Sequence, residues 1–164
     1  MKSNTKHLTA LALATAIALV LAWVESLLPP LVNAVPGIKL GLPNIAIVFV
    51  LYRFGWKQAA AVSFVRICAV ALMFGNPMTF AYSISGGFLS LLAMTVLKKL
   101  NFLSTVGVSV AGGVLHNVGQ ILAAMIILST AELGYYMIVL AITGTVSGIF
   151  VGLCGGFAVK RIPL

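Results

Sequence analysis

Four polar side chains stand where chemistry on a small molecule is feasible: Arg66, His116, Asn117 and Gln120. Arg66 lies nine residues from Lys57 and nine from Gly75, inside an otherwise apolar run. A cation there can neutralise an anion. His116 and Gln120 are one helical turn apart and share a face, with Asn117 beside them. Such groups hydrogen-bond the polar parts of a ligand. They do not make an enzyme. The sequence has no Ser-His-acid set, no HExxH, no CxxC, no phosphate loop and no Walker lysine. His116 without a nucleophile and an orienting carboxylate is no triad. No metal or cofactor is implied.

The elements that must position these groups follow from composition. Of 164 residues, 62% are hydrophobic and 7% charged, whereas a soluble domain carries roughly a quarter charged residues. Lys plus Arg is 10 and Asp plus Glu is 2, both of them glutamates, Glu25 and Glu132. The absence of aspartate removes most carboxylate-based metal and acid/base chemistry. The net charge of +8 is not a nucleic-acid footprint, because the cations sit in pairs between long apolar runs. Cys68 and Cys154 fall inside such runs and read as small core residues. The sequence is that of an all-α integral membrane protein whose environment is the lipid bilayer.

A spanning helix needs about 20 apolar residues. Six spans are expected in a single transmembrane domain, at residues 8–28, 42–54, 59–75, 79–97, 104–129 and 133–159. The first resembles a signal peptide only superficially. It is long, Glu25 and Pro29-Pro30 are poor cleavage flanks, and it reads as a retained helix. With both termini inside, one face carries Lys2, Lys6, Arg53, Lys57, Lys98, Lys99, Lys160 and Arg161. The other carries Lys39 alone among cations. That bias predicts an N-in, C-in topology.

The second span, 13 residues, reaches only about 20 Å as a helix. Either it is tilted or shallow, or it is discontinuous and directs its N-terminal amides and Asn44 into the bundle as donors. Two small-residue stripes serve packing. Ala10, Ala14, Ala18 and Ala22 recur every four residues in the first helix, as do Gly144, Gly148, Gly152 and Gly156 in the sixth. Packing within the chain accounts for either. The alanine stripe, on the terminal helix, is the better candidate to face a partner subunit.

Arg66 sits near mid-membrane, at a depth similar to that of His116, Asn117 and Gln120. An unpaired arginine there costs several kcal/mol, so it needs a ligand, water or a partner. Glu25 lies about 9 Å higher along the normal, within a long side chain's reach. The chain therefore offers either an Arg66–Glu25 ion pair or a donor-rich pocket for an anionic substrate, with Lys39 beside its entrance.

The run Pro36-Gly37-Ile38-Lys39-Leu40-Gly41-Leu42-Pro43-Asn44-Ile45, Arg66, Ser85-Gly86-Gly87 and His116-Asn117-x-Gly119-Gln120 together resemble the Gx transporter family. That family is often labelled heptaprenyl diphosphate synthase component I, and the resemblance spans nearly the whole chain. It is similar to the substrate-binding S components of bacterial energy-coupling factor (ECF) importers. The resemblance implies a six-helix bundle in the bacterial cytoplasmic membrane that binds substrate near the outer side. It also implies that the alanine stripe contacts a transmembrane coupling subunit served by ATPase subunits. The synthase label implies the alternative of a noncatalytic membrane subunit or substrate carrier. Prenyl diphosphate synthases hold magnesium through aspartate-rich motifs, and this sequence has no aspartate.

Overall fold

The computed structural model of the chain describes residues 2–27 and 41–162. Six α-helices and one 3-10 turn account for nearly all of them: α1 (Lys2–Leu27), α2 (Asn44–Arg53), α3 (Trp56–Phe74), α4 (Pro77–Leu100), α5 (Thr105–Leu128), a 3-10 helix (Ala131–Tyr136) and α6 (Met137–Arg161). The five long helices are apolar enough to cross a membrane. The helices outrun the expected spans at several ends, as at Lys2, Trp56, Pro77 and Arg161. Hydropathy marks only the hydrocarbon layer, while backbone hydrogen bonding continues into the polar interface. The reverse holds before α6. There the first residues of the expected span, Leu133–Tyr136, belong to the 3-10 helix.

Local chemistry explains the ends. Asn76 caps α4 by accepting from the Thr79 amide, Thr79 returns the bond, and Pro77 follows where a missing N–H costs least. Ser104 caps α5 by accepting from the Gly107 amide. Between α2 and α3 the chain turns in two residues, and Gly55 at φ 100° makes that turn possible.

Around the bundle α1 packs on α3, α3 on α4, α4 on α5 and α5 on α6. The short α2 closes the ring, touching α1, α3 and α6. At 10 residues it is about 15 Å long, too short to span. It is nevertheless the most enclosed element. Val48, Val50 and Leu51 are among the largest fully buried side chains, and Ala46 and Ile47 are buried with them. The outside is apolar: Leu72, Phe88, Ile126, Tyr135, Ile138 and Phe157 are all exposed. That inversion of the soluble pattern is what lipid contact requires.

Both stripes are used in packing within the chain. Ala14, Ala18 and Ala22 are 5%, 0% and 8% exposed, and the neighbours of α1 are α2 and α3. Ala10 is half-buried. Ala14, Ala18 and Ala22 are thus engaged within the chain, the packing use of the stripe. Its small side chains are consumed in seating α1 on its own bundle. The glycine stripe does the same for α6, with Gly144 against the Gly113 carbonyl, Gly148 against Val110 and Gly152 against Val106. Gly155, on another face, meets Val48 of α2.

The basic residues gather at one end of the bundle. Arg53 donates to the Ile162 carbonyl beyond α6. Lys98 donates to the Leu51 carbonyl at 2.7 Å and lies over the Tyr52 ring. These cations satisfy carbonyls that a helix C-terminus leaves without partners. We expect Lys98→Met to lower stability by about 1–2 kcal/mol, read as an earlier thermal melt of the detergent-purified protein. Lys99→Met, at an exposed position, should leave the melt unchanged.

Candidate functional site

Arg66 is held at mid-length of α3. Its Nε is sealed from solvent and has no hydrogen-bond partner among the described residues. A buried unpaired donor costs about 1–3 kcal/mol, more when charged. The guanidinium interacts electrostatically with Glu25. Glu25 also accepts a hydrogen bond from the Gly41 amide, just ahead of α2. Glu25 therefore acts on the guanidinium electrostatically, and the Nε donor is left unused.

The next layer is built by glycines of α4. A Cβ on Gly87 would lie 2.9 Å from the Ile67 Cδ1, next to Arg66 in sequence. A Cβ on Gly86 would lie 2.6 Å from the His116 carbonyl and 2.9 Å from the Gln120 Cγ. On α5, a Cβ at Gly119 would lie 2.8 Å from the Ser85 carbonyl. The pair Gly86-Gly87 thus brings α3 and α5 to opposite sides of one level of α4. Arg66 lies in the α3 side of that level, and His116 and Gln120 lie in the α5 side. A side chain in place of Gly86 or Gly119 would meet backbone and push α4 and α5 apart, whereas at Gly87 the end of the Ile67 side chain can give way.

Asn117 points elsewhere. It is buried, and its Nδ2 donates to the Leu140 carbonyl of α6 at 2.7 Å. The one-residue step from His116 turns it roughly 100° around the helix, away from α4. Asn117→Ala should therefore lower stability by about 1 kcal/mol, the usual scale of an interhelical bond in a bundle of this kind. A thermal melt measures it, and a ligand held through Arg66 should be retained.

The start of α2 also departs from the expectation of free donors. The Asn44 amide donates to the Gly41 carbonyl at 2.9 Å, Ile45 to Leu42 at 3.1 Å and Ala46 to Pro43 at 3.2 Å. The Leu42-Pro43 turn thus absorbs the first-turn amides that were to meet an anion. Asn44 is one lining residue of a small cleft toward the middle of α5, and its Nδ2 lies beside Gly41. Lys39, expected beside the pocket entrance, lies outside the described residues.

Of the predicted site residues, Glu25 acts electrostatically on Arg66, and His116 and Gln120 stand against Gly86 of α4. Asn44 and Asn117 have other surroundings. From the sequence, Gly86-Gly87 and Ser90 read as packing groups of the fourth helix, and the glycine pair does pack closely, whereas Ser109 is not singled out. No local signal marks Ser109.

The sequence model of the family described as heptaprenyl diphosphate synthase component I matches residues 14–158. No curated protein and no solved structure matches the chain.

Proposed function

The chain belongs to the heptaprenyl diphosphate synthase component I family, and from that premise we propose that it is a substrate-binding membrane component for a small anionic metabolite. The observation that carries this reading is the buried Arg66 Nε without a hydrogen-bond partner among the described residues. A cation at that depth persists when something compensates it. Glu25 is its resident counter-ion, and an incoming carboxylate or phosphate oxygen takes the remaining donor. His116 and Gln120 hydrogen-bond the polar remainder of the ligand, and Lys39 adds positive charge near the entrance. The basic end is cytoplasmic, with both termini inside, in a bacterial cytoplasmic membrane.

The protein serves import of the ECF type, in which a transmembrane coupling subunit and ATPase subunits supply the energy. This sequence has no phosphate loop of its own. Intramembrane acids suited to proton coupling are also scarce, since Glu25 is engaged with Arg66.

The family description favours one further reading, a noncatalytic membrane subunit or carrier in a heptaprenyl diphosphate synthase system. A diphosphate head group is also an anion, so the same arginine suits it. Mass spectrometry of small molecules extracted from the purified protein separates the two. A stoichiometric water-soluble anion supports the importer component, and an isoprenoid diphosphate supports the synthase partner. If folded wild-type protein, alone and with its copurifying partners, yields no anion that depends on Arg66, the binding reading is lost.

A further inference from the structure

Nearer the basic end than the His116 level, α2, α4, α5 and α6 line a second, partly open polar feature. It is a cavity with room for about one water molecule. Its polar lining is Asn44 of α2, Ser90 of α4, Ser109 of α5 and Ser147 of α6, with Val48 and Val151 among the apolar walls. Ser90 and Ser109 are 5% and 3% exposed. Neither hydroxyl, nor the Asn44 side chain, has a hydrogen-bond partner among the described residues. Ser147 donates to the Gly144 carbonyl at 3.4 Å, which leaves its oxygen lone pairs available.

The hydroxyls of two buried serines, Ser90 and Ser109, open onto one small space, and a polar occupant is favoured there because hydroxyls left without partners inside a bundle are expensive. The size excludes a metabolite, whose sites measure hundreds of Å3. The lining has no charged group. A dehydrated cation there would be uncompensated within a chain of net charge +8. An anion would meet no cation. A water both donates and accepts and needs two to four partners.

We infer that the Asn44–Ser90–Ser109–Ser147 cavity is a binding site for a single structural water, the polar joint that fastens the first turn of α2 to α4, α5 and α6. This joint stands independently of the reading of Arg66. It explains why a helix of 10 residues can begin within the bundle with an asparagine that caps nothing. The water takes the place of a protein partner.

The direct test is a structure of the full-length protein at a resolution that shows ordered water. One peak within about 2.7–3.2 Å of the Ser90 and Ser109 Oγ atoms is expected. An empty cavity overturns the proposal. The sign of a mutational effect gives a second reading. Ser90→Ala/Ser109→Ala should melt several degrees below wild type in detergent, because the water loses two partners. If the cavity is dry, removing two unsatisfied hydroxyls leaves the melting temperature unchanged or raises it, and the proposal fails. Melts in sodium, potassium and choline chloride at equal ionic strength complete the test. Equal temperatures support water. Stabilisation by one alkali cation, absent from the double variant, assigns the site to that ion and overturns the water.

Discussion

Gly148→Leu is expected to abolish recovery of monodisperse folded protein, whereas Gly156→Ala leaves folding intact. The two glycines belong to one stripe of α6 but not to one environment. A Cβ at Gly148 would lie 2.6 Å from the Val110 Cα and 2.9 Å from the Ser109 carbonyl, both backbone atoms of α5 that no rotamer change can move. The helices would have to separate, and the loss would run along the whole contact. Gly144 against the Gly113 carbonyl and Gly152 against Val106 depend on the same spacing. Between membrane helices that close contact is itself the driving force, since lipid is as apolar as leucine. The expected cost exceeds about 3 kcal/mol, a large part of a total stability of about 5–15 kcal/mol. At Gly156 the nearest atom to a new Cβ is Thr105 Cβ at 3.6 Å, ordinary contact. Alanine there should be neutral or stabilising by up to about 1 kcal/mol through helix propensity. Size-exclusion profiles and thermal melts of both variants decide it. A well-folded Gly148→Leu would show that α5 and α6 are not held by backbone proximity.

Loss of the bound anion, with retention of the fold, is expected from the double change Arg66→Gln/Glu25→Gln. Arg66→Ala alone is a poor probe. It strands Glu25, the half-buried carboxylate that acts on the guanidinium, and a charge left without its counter-ion at membrane depth is costly. Neutralising both removes that penalty, so the double variant should melt above Arg66→Ala and close to wild type. It should nevertheless carry none of the anionic compound. Arg66→Lys keeps the charge but loses the Nε donor, and should weaken binding by about 10–100-fold, or about 1.4–2.8 kcal/mol. Glu25→Gln should keep the ligand, because the arginine then has one competitor fewer. The readout is the amount of extracted anion per mole of folded protein. A double variant that still holds wild-type amounts would make the arginine–glutamate pair purely structural.

Much of this architecture was legible in the residues alone. The absence of aspartate, the apolar runs and the cations at their ends require a helical membrane bundle. Backbone groups in lipid must be satisfied within each segment, and charges must lie at its ends. The short second helix was readable from Pro43, Gly55 and the length between them. Arg66 was marked as exceptional by its depth. These are one-dimensional facts, carried by hydropathy and rise per residue.

Which neighbour each face meets is not such a fact. A stripe such as Ala14, Ala18 and Ala22 reads the same whether it meets another protein or the chain's own α2 and α3, because small residues suit either contact. The direction of Asn117 was fixed by the Leu140 carbonyl of α6, a group no local pattern identifies. The amides of α2 were consumed by the Gly41–Pro43 carbonyls, which a slightly different turn would have left free. The void between Ser90 and Ser109 arises where four helices fail to meet, and such a gap belongs to no single segment. Sequence alone therefore determined the helices, their apolar character and the exceptional cation. Tertiary structure decided the partners of every polar group, because at membrane depth those partners come from other helices, brought near only by packing.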